Sequence, residues 1–159
     1  MAINKPPPPR SRGDALDLLA EVWALNHSVE RASTRIEARI GVTAQQRLLI
    51  RFVGRHPGIS AGALAELLCV DASTVSTSVK RLEKRRLLRR RRDDHDGRKT
   101  VIELLAAGKA LDRKEADTIE GALEALLSET PAARVEAVRE FLRDLVRRVD
   151  RIGHSGARP

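Results

Sequence analysis

The sequence predicts a mainly α chain interrupted by one small β-hairpin, and three observations carry this. Apolar residues recur at helical spacing along most of the 159 residues. Good N-cap residues stand ahead of the periodic runs, at Thr43, Ser60, Asp71 and Thr130. One stretch breaks the period: the basic run Leu87 to Arg92, the turn formers Asp93-Asp94-His95-Asp96-Gly97, and Thr100 to Leu104 with its β-branched residues. Two short strands joined by a turn have this pattern, and Gly97 allows the turn to be tight.

The elements follow in order. Residues 1–13 contain Pro6-Pro7-Pro8-Pro9, Arg10, Arg12 and Gly13, and read as a disordered or extended polyproline arm. A first helix is expected from about Asp14 to Ile40, with Leu19, Val22, Trp23, Val29, Ile36 and Ile40 at helical spacing and Gly41 to end it. A second starts at Thr43, with Gln46 completing a capping box. It carries Leu48, Leu49, Phe52 and Val53 and stops at His56-Pro57-Gly58. A third follows Ser60 with Leu64, Leu67 and Leu68, and a fourth follows Asp71 and runs to about Arg85. Past the hairpin, a fifth helix is expected unbroken from about Ala106 to Ser128, on Leu111, Ile119, Leu123, Leu126 and Leu127. A sixth has Thr130 as N-cap and Pro131 as its first residue. Its Val135, Val138, Leu142, Leu145, Val149 and Ile152 form a heptad seam. The tail, 153–159, is expected to fray.

Composition narrows the function classes. Lys plus Arg number 30 against 22 Asp plus Glu, a net charge of +8, which favours an anionic partner such as nucleic acid. The surplus is local. Residues 80–99 hold 11 cations and four anions, whereas the remaining 139 residues are nearly neutral. A focused patch points to a docking surface rather than to general solubility. One Cys excludes a disulfide framework and a multi-Cys zinc site. Trp23, Phe52 and Phe141 are the only aromatics, too few for platforms that stack single-stranded bases. No apolar run is long enough to span a bilayer, and the start shows no apolar leader, so a cytoplasmic location without a membrane is expected.

The third and fourth helices are separated only by Cys69-Val70-Asp71. Two short helices, a tight turn and then a basic hairpin form the pattern of a winged helix-turn-helix. On the fourth helix, Ala72, Val75, Val79 and Leu82 share one side, and Ser73, Thr77, Lys80, Arg81 and Lys84 the other, flanked by Thr74 and Ser76. Small hydroxyl residues at the N-terminal end let the backbone enter a major groove and bond base edges or phosphates. The cations behind them suit the phosphates of the groove walls. Arg98, just past the hairpin turn, suits a narrow minor groove, with Asp96 expected to hold its guanidinium by an ion pair.

Val70-Asp71-Ala72-Ser73-Thr74-Val75-Ser76, Val79-Lys80-Arg81-Leu82-Glu83-Lys84, Leu87-Leu88, Arg90 and Asp93-x-His95-Asp96-x-Arg98, then Leu104 and Gly108, resemble the MarR family of bacterial transcriptional regulators. The resemblance is strongest over about 58–108, and the helical layout fits about 14–152. It implies a homodimer built by N- and C-terminal helices, double-stranded DNA as partner, the recognition helix in the major groove and the wing in the minor groove. It also implies a small aromatic or phenolic effector as a further partner. The chain is then organised as a dimerisation helix (14–42), a winged helix-turn-helix lobe (43–105) and dimerisation helices (106–152) between the arm and the tail. The DNA-binding residues so implied are Ser73, Thr74, Ser76, Thr77, Lys80, Arg81, Lys84, Arg90, Asp96 and Arg98. Three positions depart from the family pattern. Arg86 stands where Gly is usual, which bears on a left-handed C-cap; His95 stands where Arg is common; Leu105 replaces the usual capping Thr.

Rival readings are weaker. His95-Asp96 resembles the dipeptide of HD hydrolases, but His27, His56 and His154 offer no partners at ligand spacing. Neither a G-x-S-x-G elbow nor a P-loop is present, so no cofactor and no enzymatic role are expected. Cys69, beside Leu68 and Val70, reads as a small buried filler rather than an oxidant sensor. The peroxide-sensing branch of the family uses a Cys near the N-terminal helix with Tyr partners, and both are missing here. The serious alternative to a palindrome-binding dimeric repressor is a nonspecific architectural DNA-binding protein.

Overall fold

The computed structural model describes residues 15–94 and 96–154. The expected polyproline arm (1–13), His95 and residues 155–159 lie outside the described residues. The elements are α1 (Ala15–Ile40), α2 (Ala44–Arg55), α3 (Ala61–Leu68), α4 (Ala72–Lys84), β1 (Leu88–Arg92), β2 (Thr100–Leu104), α5 (Ala106–Leu111), α6 (Ile119–Ser128) and α7 (Ala132–His154). The chain divides into two compact units, Met1–Lys114 and Glu115–Pro159. The architecture is mainly α with one antiparallel hairpin, as the sequence predicts.

In the first unit, α1 ends at Gly41, whose φ of +76° is a conformation open to glycine at little cost. Ser33 of α1 accepts from the Ala44 amide at 3.0 Å and ties α1 to the start of α2. The Thr43–Gln46 capping box forms in full. Ser60 caps α3 by accepting from the Ala63 amide. Val42, Leu49, Ile50, Val53, Leu64, Val75, Val79, Leu82, Leu88 and Ile102 build one core among α2, α3, α4 and the hairpin. Leu48 and Leu67, among the apolar residues that define the helical period, are 43% and 47% exposed, while Ile50 is fully buried. The hairpin gains a third backbone partner that its own sequence does not announce. Ser60 bridges Val101, and the Ile102 amide donates to the Ile59 carbonyl at 2.9 Å. Gly108 is required by space: a Cβ there would strike the Leu87 carbonyl.

The fifth predicted helix is two. α5 ends at Leu111, and α6 begins at Ile119. The cause lies in α2. Arg47 is completely buried, and its guanidinium donates to the carbonyls of Leu111 (2.9 Å) and Arg113 (2.6 Å). Arg51 pairs with Asp112 between them. Carbonyls engaged in this way are not continued into the next helical turn. Leu105, at the N-cap of α5, makes no side-chain cap bond, as expected where Thr is replaced.

In the second unit, Thr118 starts α6 by accepting from the Gly121 amide while donating to the Glu115 carbonyl. The last helix begins one residue later than expected. Pro131 occupies the cap position, accepting from the Val135 amide, and Thr130 donates back to Leu126. α7 continues through Gly153 and His154, two residues into the stretch expected to fray. Its seam is open in the single chain: Val138, Leu142, Val149 and Ile152 are 51%, 46%, 54% and 75% exposed.

Candidate nucleic-acid interface

α4 buries Val75, Val79 and Leu82 and turns its polar face outward. Ser73, Thr74, Thr77, Lys80, Arg81 and Lys84 are exposed, and Ser76 is half-buried. Two details differ from expectation. Ala72 is exposed rather than on the buried side, and Asp71 sits at the N-cap without a side-chain cap bond. The ends of α3 and α4 share one device. The Cys69 and Arg86 amides bond to the carbonyls of Glu66 and Glu83, and the Val70 and Leu87 amides to those of Ala65 and Leu82. These are Schellman caps, which place Cys69 and Arg86 at φ of 51° and 56° without glycine. Cys69, expected to be buried, is exposed, because the left-handed residue of such a cap turns outward from the helix end.

The wing pairs Leu88 with Leu104, Arg89 with Glu103, Arg90 with Ile102, Arg91 with Val101 and Arg92 with Thr100. This register gathers acids onto the basic strand. Glu103 accepts from Arg89 at 2.9 Å and from the Arg91 Nε, and Arg91 also meets Asp94 at 3.0 Å. The Arg91 hydrogen bond, aided by Arg89, holds the Glu103 carboxyl below the usual carboxylate range; the same bond raises Arg91. Arg90 turns to the other face and meets Glu83 of α4 at 3.1 Å.

Side chains shape the tip. Asp93 accepts from the Asp96 amide at 2.9 Å, and Asp96 from the Arg98 amide at 3.1 Å. Asp96 therefore holds the backbone of Arg98, not its guanidinium; its ion pair is with Lys99 at 3.6 Å. Gly97 is not at positive φ, so the carboxylates, rather than a glycine conformation, make the turn. Arg98 is exposed. Among the described residues it has no ion pair, nor have Lys80, Arg81, Lys84 and Arg86. The surface thus carries free cations along α4 and at the wing tip, while Arg90 is engaged inside the lobe.

Behind the wing lies an open cleft of about 970 Å³ between the end of α2, the hairpin and α5. Arg89, Arg91, Glu103 and Asp112 on its walls are already paired, with one another or with Arg51. Nothing in the local sequence marks Glu83, Glu103 and Arg47 apart from the other charges. The Glu103 pairing could have been found from a correct strand register, since the turn places Arg89 opposite Glu103.

Two short helices, a three-residue turn and a hairpin leaning on the second helix define a winged helix-turn-helix protein. Residues 40–99 match the model of the MarR family. The organic hydroperoxide resistance transcriptional regulator of Bacillus subtilis (strain 168) is 28% identical over 79 residues, 50% of this chain and 54% of that protein. The chain therefore spans about half the length of the curated relative it matches. The MarR transcription regulator of Oenococcus oeni PSU-1 has the same fold at a TM-score of 0.70, with 17% identity over 83% of this chain and 98% of that one. The S. aureus MepR–DNA complex aligns at 0.66, with 19% identity over 86% and 99%. None of the three is described as an enzyme. No described helix is long and apolar enough to cross a membrane.

Proposed function

We propose that the chain is a sequence-specific, duplex-DNA-binding transcriptional regulator acting as a homodimer. The observation that carries this reading is the distribution of unpaired cations. Lys80, Arg81 and Lys84 follow the exposed hydroxyls Ser73 and Thr77 along one face of α4, and Arg98 stands free at the wing tip. Such a face suits a major groove, and an exposed arginine on a narrow tip suits the adjacent minor groove. That MepR, a protein of the same fold, is solved as a DNA complex supports the same use. The uncovered apolar stripes of α1 (Leu16, Leu19, Trp23) and α7 (Val138, Leu142, Val149) suit a second copy of the chain. Two copies related by a two-fold axis bind a palindrome with half-sites about one helical turn apart. Occupying a promoter in this way makes a repressor, and a small aromatic or phenolic effector that weakens the binding completes the reading.

Selection of bound duplexes from a random pool tests it. A palindromic winner, bound about 10³-fold or more tighter than bulk DNA, is expected. Arg98→Ala should then weaken binding to that duplex by about 1–3 kcal/mol. An even spread of bound sequences sinks the reading in favour of an architectural protein.

A further inference from the structure

We propose that Glu83 is a positioning residue of this interface: through Arg90 it locks the wing to α4, so that both read DNA in one register. The proposal rests on the DNA-binding reading above. The geometry is a two-armed strut. One Glu83 carboxylate oxygen accepts the Arg90 backbone amide at 2.9 Å, and the other accepts its Nη1 at 3.1 Å. Nη2 of the same guanidinium reaches back to the Ser76 carbonyl (3.3 Å) and hydroxyl (3.4 Å). Ser76 and Glu83 lie two helical turns apart on one face of α4, so a single arginine grips the helix at two levels. Both charged side chains are a little over one-quarter exposed, which shields the pair from salt better than a surface bridge.

The strut matters because of leverage. A two-stranded ribbon is marginally stable alone and takes its direction from its anchors. β2 is held to Ile59 and Ser60 at Ile102 and Val101, and Arg90, the cross-strand partner of Ile102, is where β1 is held to α4. The turn lies about 13 Å further on, at the rise of an extended strand. A rotation of about 10° at Arg90 would move Arg98 by roughly 2 Å on that rise, enough to take it out of a groove aligned with α4. The strut also commits the Arg90 guanidinium inside the lobe, so Arg90 acts through Glu83 and Ser76 rather than by touching phosphate.

Charge and position give opposite expectations, which makes the proposal testable. Glu83 is an acid in a cationic surface, so by charge alone its removal strengthens binding to every duplex. The experiment measures affinity for the duplex that the parent protein selects from a random pool, and for an unrelated duplex of equal length, at one salt concentration. For Glu83→Ala, affinity for the unrelated duplex should hold or rise, which also reports an intact fold. Affinity for the selected duplex should fall about tenfold or more, a loss on the scale of a mismatched base pair. Arg90→Lys, which keeps the charge but not the fork, should lower the same ratio. An unchanged or higher ratio overturns the proposal, and so does an equal fall on both duplexes, the mark of general damage. A parent protein that prefers no duplex overturns the DNA-binding reading, and this proposal with it.

Discussion

Replacing Arg86 with glycine should stabilise the protein, although it deletes a long side chain. Arg86 follows α4 at a φ of 56°, held there by its own amide bonding to Glu83 and by the Leu87 amide bonding to Leu82. A residue with a Cβ pays about 1–2 kcal/mol for the left-handed region. Glycine avoids that cost but gains unfolded-state freedom, which offsets about 0.5–1 kcal/mol. The net is a gain of about 0.5–1 kcal/mol, a rise in Tm of roughly 2–3 °C at this chain length. Both caps stay in place, because their bonds are made by the backbone.

Arg86 also stands beside Lys84 and Arg85, so relief of like charges could mimic this gain. Arg86→Ala separates the causes. Alanine removes the charge and keeps the Cβ, so it should leave Tm unchanged or lower it. Calorimetric scans of the parent and both variants decide the matter. If alanine raises Tm as much as glycine does, or if glycine raises nothing, backbone strain at this cap is refuted.

Other outcomes follow from the buried and paired charges. Arg47→Met keeps most of the apolar stem but strands the carbonyls of Leu111 and Arg113. It should cost about 2–4 kcal/mol, read as a lower urea midpoint at unchanged m-value. Because Glu103 titrates below the ordinary carboxylate range when folded, its stabilising effect is complete above about pH 4.3, its unfolded value. That effect fades as pH falls through the folded value, so the parent and Glu103→Gln should differ in stability at neutral pH and converge in acid.

Much of the fold was legible because its signals are local. The Thr43–Gln46 box, the Ser60 cap and the turn-former cluster between the strands each act within a few residues, and each appears where the spacing puts it. The break between α5 and α6 was not legible. It depends on an arginine 64 residues upstream of the carbonyl it holds, while the apolar period of Leu111, Ile119 and Leu123 runs smoothly across the gap. The outward face of α4 was legible from its wheel, as was the exposed Arg98. The internal role of Arg90 was not, because a one-residue change in how strand and helix meet would release it. The exposure of Cys69 is hidden for a related reason: its apolar neighbours in sequence say nothing of the left-handed cap that turns it outward.

The paired arginines also change what the charge of the wing means for binding. Residues 80–99 hold 11 cations, and counting all of them in the proposed dimer gives a salt slope near −20 if each met a phosphate. Arg89, Arg90, Arg91 and Lys99 are held by acids, so within this segment displacing counterions is left to the seven without an acid partner among the described residues. For two copies the ceiling is then about −13 in log K against log salt, at roughly 0.9 per contact. Titrations of the selected duplex between 50 and 200 mM salt, a window of about the width used for such slopes, read this directly. A slope steeper than about −16 would mean that cations beyond these seven meet phosphate, either arginines that leave Glu83 and Glu103 or cations outside residues 80–99. A slope at or below the ceiling means that these arginines remain part of the scaffold while Arg98 and the face of α4 make the contacts.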